Sequence, residues 1–192
     1  MVNVWMQLTN LIIILASIQI LHKTSLIYDL TKHKGLQVFR YSIFLFMLST
    51  LIPLLGIQII QKIPLILVHL SAAMLSTASL IFLSHSSKRK FNTEVLMHTA
   101  YLVGILTGFF VLISQRPETV LFVQIPLILY ILSNATKTKG YLTFISPLLA
   151  LSIIIYNYNV LSPHIESFRS IIIAIVTILY LIMTYKISRW DK

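Results

Sequence analysis

Two histidines stand inside apolar stretches of this chain, His69 within 64–84 and His98 within 94–114. Imidazole is the side chain there that could ligate a metal or move a proton. As a bis-histidine haem pair they would need a common depth. Read as helices, the two stretches leave them roughly 15 Å apart along the axis, so they cannot share one iron. Each is a separate candidate for binding haem b or a quinone, with a hydrogen-bonded structural histidine as the alternative. An inner haem would need His98 with His22 or His85, and an outer one His69 with His164. For His98 the simpler partner is Glu94, one turn earlier on the same helical face.

Gln58, Gln124 and Asn157 add neutral polar groups to other apolar stretches. With His69 they could line a cavity for a quinone, lipid or small solute, or hold helices together through hydrogen bonds. The five acidic residues, Asp29, Glu94, Glu118, Glu166 and Asp191, fall at stretch ends or in loops, and no Lys or Arg stands in the middle of a stretch. That leaves ion-coupled transport without its usual intramembrane charge, and carboxylate hydrolysis and di-iron chemistry without ligands. The chain has no cysteine, which removes disulfides, zinc-thiolate sites and iron–sulfur clusters. No catalytic residue, metal site or resident cofactor is expected, haem b or quinone being what the histidines leave open.

These residues need helices in a bilayer to position them. The apolar stretches number seven, at about 4–21, 38–60, 64–84, 94–114, 118–134, 141–158 and 166–186, and each can cross a hydrocarbon core of roughly 30 Å. The chain is 57% hydrophobic and 10% charged over 192 residues, too apolar for a water-soluble globule of that size. Twelve of its fifteen Lys and Arg residues lie in alternate gaps: Lys23, Lys32, Lys34 and Arg40; Lys88, Arg89 and Lys90; Lys137 and Lys139; Lys186, Arg189 and Lys192. Only Lys62, Arg116 and Arg169 fall in the other gaps. Because cations are retained in the cytoplasm, the expected fold is an all-α, polytopic transmembrane bundle of seven helices, N-terminus outside and C-terminus cytoplasmic. The whole chain, 1–192, reads as a single integral membrane domain with no extramembrane domain, in a prokaryotic plasma membrane. Its net charge of +10 then reflects topology and attraction to anionic lipid headgroups at the cytoplasmic face, not nucleic acid.

Packing signals are concentrated in the third and fourth stretches. Ala100, Gly104 and Gly108 recur at four-residue steps, and the run Ser71–Ser79, including Ala72 and Ser76, offers a matching small surface. A tight pair of these two helices is expected at the centre. Pro53, Pro126 and Pro147 should kink or loosen their helices, with Ser49, Gln124 and Thr143 placed to satisfy freed backbone groups. Leu26, Ile27 and Leu30 could make an interfacial turn within the polar segment 23–37, which otherwise reads as a solvated loop.

With no extramembrane mass and no complete ligand set, the expected function is that of an auxiliary subunit of a larger membrane complex, non-catalytic by itself. A respiratory or energy-converting assembly of terminal oxidase or cytochrome type fits that architecture, with other membrane subunits as partners. The alternatives are a small transporter or channel around a neutral polar cavity, and an electron-transfer subunit binding haem b or quinone.

Overall fold

The structure, a computed structural model, describes residues 4–55, 62–86, 93–113, 121–135, 143, 145–151, 153, 175, 178–179, 181–182 and 185. All of these except Lys32, His33 and Leu55 are helical. The helices are α1 (Val4–Thr31), α2 (Lys34–Leu54), α3 (Lys62–Ser86), α4 (Thr93–Ile113) and α5 (Leu121–Ala135). Three of them, over Gln7–Thr31, Lys34–Leu54 and Ile63–Ser84, are long and apolar enough to cross a membrane. On that ground the chain is an integral membrane protein. The described residues of the last two apolar stretches are also helical, and Ile145, Leu149, Ala150 and Ile153 join the common core.

Helix α1 runs ten residues past its apolar stretch, so no solvated loop or separate interfacial turn occupies 23–31. Its 28 residues span about 42 Å at 1.5 Å each, against roughly 30 Å of hydrocarbon, and the charged last turns project beyond it. Leu26 and Leu30 are exposed on this extension. The helix stops at Lys32, whose φ of 51° is left-handed, and whose N–H donates to the Tyr28 carbonyl at 2.6 Å. That single bond closes an αL cap, a position glycine usually fills. We expect Lys32→Gly to raise stability by about 1 kcal/mol by relieving the left-handed strain, read as a higher melting temperature in neutral detergent. A lower one would mean that contacts of the Lys32 side chain outweigh the strain.

His33 opens α2 immediately. Its backbone is extended, and its Nδ1 accepts from the Gly35 N–H at 3.1 Å, an N-cap bond. The His33 ring stacks on Phe82 of α3, with centroids 5.3 Å apart and planes 17° apart. A two-residue link is therefore tied to the third helix as well as to its own pair. At the far end α2 stops at Leu54, one residue after Pro53, with Leu55 as its C-cap, and residues 56–60 of the apolar stretch lie outside the described residues. Pro53 has no N–H and crowds the preceding turn, and here the helix ends rather than bends. The Ser49 hydroxyl does not rescue that turn; it donates to the Phe46 carbonyl at 2.6 Å.

Helix α3 is the most enclosed of the five and packs against α2, α4 and α5, while α1 lies on α2 and α4 also touches α2. Ser71 to Ser79 are all buried, including Ala72 and Ser76. The small surface read from the sequence is thus the core of the bundle. Its partner includes α2, which presents Gly35, Ser42 and Ser49, all buried and seven residues apart. Heptad spacing keeps them on one seam and lets the two backbones approach. There the Ser71 hydroxyl donates to the Ser42 carbonyl at 2.8 Å. Ala100, Gly104 and Gly108 lie within α4, but their side-chain surroundings fall outside the described residues.

Large apolar side chains point outward: Leu11, Leu15 and Ile18 on α1, and Leu102, Ile105, Leu106, Phe109, Phe110 and Ile113 on α4. In water such faces would drive aggregation, whereas lipid solvates them.

Candidate functional site

The interior collects hydroxyls, and most of them return to their own helix. Thr24 donates to Ile20 O, Ser42 to Phe39 O, Ser76 to Ala72 O, Thr77 to Ala73 O and Ser79 to Leu75 O, all between 2.6 and 2.9 Å. Without water, a carbonyl three or four residues back is the nearest available acceptor. Ser17 departs from this pattern, because its Oγ is buried on α1 with no hydrogen-bond partner among the described residues. An unmet hydroxyl costs about 1–3 kcal/mol. Ser17→Ala should therefore leave the melting temperature unchanged or raise it; a clear fall would show that the hydroxyl is engaged in the native membrane.

Two longer polar side chains are buried between different helices, and they meet. His69 on α3 is 4% exposed and Gln124 on α5 is 6% exposed. Gln124 Nε2 donates to the main-chain carbonyl of His69 at 3.2 Å, and Gln124 Oε1 lies 3.1 Å from His69 Nδ1. The carbonyl can only accept, which fixes the amide with its NH₂ on that side. Its oxygen therefore faces Nδ1, which must carry the proton. In the neutral ring Nε2 then holds the lone pair, and it takes part in neither bond. One glutamine thus grips both the ring and the backbone of one residue, closing α5 onto α3.

Chemically, an Nδ1–H held by an oxygen acceptor sets ring orientation and tautomer, as outer-shell partners of metal-bound histidines do. A lone pair on Nε2 can accept a hydrogen bond or ligate a metal. His69 is thus the residue through which this region could act on a ligand, with Gln124 positioning it. Gln124 is drawn to His69 rather than to the backbone near Pro126, and α5 continues through that proline without ending.

His98 lies elsewhere, exposed on α4. It is five residues into α4, whereas His69 is seven into α3. In a close-packed antiparallel pair those positions are near opposite ends, in keeping with the separation expected from the sequence. Gln58, Asn157 and His164, and the side chains of His85 and Glu94, lie outside the described residues. Within them, no group of three or more His, Asp or Glu side chains could hold a metal ion.

The sequence grouped His69 with Gln124, Gln58 and Asn157 as polar groups of one region but did not give His69 and Gln124 a bond to each other, since they stand 55 positions apart with α4 between their helices. The heptad Gly35, Ser42 and Ser49 was also missed, although its spacing was there to be read. Compared with protein families, curated proteins and solved structures, the chain matches none.

Proposed function

We propose that this chain is an auxiliary, non-catalytic subunit of a larger membrane assembly, crossing a prokaryotic plasma membrane seven times with its N-terminus outside and C-terminus cytoplasmic. The observation that carries the proposal is the commitment of the described interior. Most of its hydroxyls donate to helix carbonyls, and the long polar side chains of His69 and Gln124 hold each other. Such an interior favours a packed scaffold over a solute path, and leaves the apolar outer faces of α1 and α4 to lipid and neighbouring subunits. The respiratory or energy-converting kind of assembly is an analogy of architecture.

Extraction from native membranes in a mild detergent tests this directly. Oxidase, cytochrome or dehydrogenase subunits held at native mass would support the reading. A lone particle that carries solute across proteoliposomes would overturn it in favour of a transporter. The orientation is tested separately by a C-terminal reporter, active only if that end is cytoplasmic.

A second reading, a haem b or quinone-binding electron-transfer subunit, draws on the tautomer at His69, which presents a lone pair on Nε2. Its signature is optical: a Soret band, or bound quinone in the purified protein, lost in His69→Leu. A colourless, quinone-free preparation would sink it.

A further inference from the structure

Near the α1–α2 turn a half-buried guanidinium is met by an aromatic ring and, among the described residues, by no anion. Arg40 Cζ stands 5.3 Å from the centroid of the Tyr28 ring, and among the described residues no hydrogen bond or ion pair engages it. Lys32 Nζ lies 5.3 Å from the same ring and makes a pair with Asp29 at 3.3 Å in which both side chains are about two-thirds exposed. An exposed pair of that kind is weak and easily exchanged. The Tyr28 hydroxyl donates to Gln37 Oε1 at 3.4 Å, which leaves the Nε2 donors of Gln37 outside that bond. Between residues 23 and 40, four cations, Lys23, Lys32, Lys34 and Arg40, face one carboxylate, Asp29.

We infer that Arg40, Gln37 and Lys32, gathered about the Tyr28 ring, form a binding site for the phosphate of an anionic phospholipid headgroup. The inference rests on the membrane reading above and assigns the lipid a specific seat. A guanidinium fork matches phosphate oxygens bidentately, and the cation–π contact with the Tyr28 ring holds the fork near its place before the ligand arrives. The amide of Gln37 and the ammonium of Lys32 add donors beside it. A lipid suits the seat better than a soluble phosphate because α2 carries exposed aromatic rings next to Arg40. Tyr41 and Phe44 are 47% and 44% exposed, and Phe44 lies one turn beyond Arg40 on the same face. Those rings are placed to pack against an acyl chain on a helix that crosses the membrane.

The test uses the whole chain purified in neutral detergent, with native mass spectrometry reading retention of added phosphatidylglycerol, phosphatidylcholine or soluble glycerol phosphate. Wild type should retain phosphatidylglycerol over phosphatidylcholine and should not retain glycerol phosphate. Arg40→Gln should weaken that retention roughly tenfold, the scale of one charge-assisted contact, and Arg40→Lys should fall between. Lys139→Gln, which removes a cation distant in the sequence, should leave retention unchanged. Gln37→Leu carries the same test should Arg40→Gln fail to fold, and it should weaken retention several-fold. Equal retention of the neutral lipid, an equal loss in Lys139→Gln, or glycerol phosphate bound as tightly as the lipid would each overturn the site. Those failures differ from failure of the membrane reading, which would appear as recovery of the chain in solution without detergent.

Discussion

Gly35→Leu is expected to lower stability by about 3 kcal/mol, the upper range for forcing extra side-chain volume into a closed contact. A Cβ at this position would come within 2.9 Å of Phe82 Cε1 and 3.0 Å of the His33 ring. Those two rings stack on each other, so neither can withdraw without opening the contact that ties the α1–α2 turn to α3. The cap from Gly35 N–H to His33 Nδ1 would be disturbed with it, which alone is worth about 1 kcal/mol. Gly35→Ala should show a smaller loss of the same kind. Thermal unfolding in neutral detergent measures the loss, and trypsin offers a local readout, because cleavage after Lys32 and Lys34 should accelerate before the rest of the chain yields. A leucine variant that melts with wild type and resists trypsin equally would mean that the stack does not lock the turn.

The second large effect should come from the pair on α3 and α5. Gln124→Leu keeps the side-chain bulk but leaves the Nδ1–H of His69 without an acceptor in a site closed to water, a cost of about 2 kcal/mol. His69→Leu should cost a similar amount, since it orphans the amide oxygen of Gln124. The double variant His69→Leu/Gln124→Leu removes donor and acceptor together and should recover part of the loss, with a coupling of about 1 kcal/mol. Interhelical hydrogen bonds in membranes are often weaker than that. Here one glutamine makes two bonds to the same residue, one to the ring and one to the backbone, which raises the expectation. Strictly additive losses in the melting series would show that each residue acts through packing and that their hydrogen bonds contribute little.

How far the fold was legible depended on which physical signal each element carried. The apolar stretches located α2 to α5, because a helix solvated by lipid or buried in the bundle must be written largely in apolar residues. The end of α1 was hidden for the complementary reason. Beyond His22 the sequence turns polar, but Lys23, Thr24, Ser25, Tyr28 and Asp29 can all continue a helix once it leaves the hydrocarbon. The stop itself falls on Lys32, where no glycine or asparagine announces a left-handed cap. Pro53 was visible, while its effect was not: proline near the end of a helix terminates it and in the middle bends it, so the outcome depends on where the helix ends. The small residues of α3 marked the core correctly, yet small residues can receive any neighbour, and α2 shares that surface with α4. Of the candidate site, His69 and Gln124 were each recognisable as polar residues that a membrane must satisfy. Their partnership required knowing that α5 packs on α3, which no local pattern encodes.

The two-residue link between α1 and α2 has a consequence for biogenesis. Helices joined by long loops can enter the bilayer one after the other, each by its own hydrophobicity. With only Lys32 and His33 between them, α1 and α2 have no slack to do so, because the end of one fixes the start of the other within a few ångströms. They are expected to enter the lipid as one hairpin, with the cationic segment from Lys23 to Arg40 around its tip. A reporter fused between Thr31 and Lys34 would therefore probe an arrested pair, not a free loop.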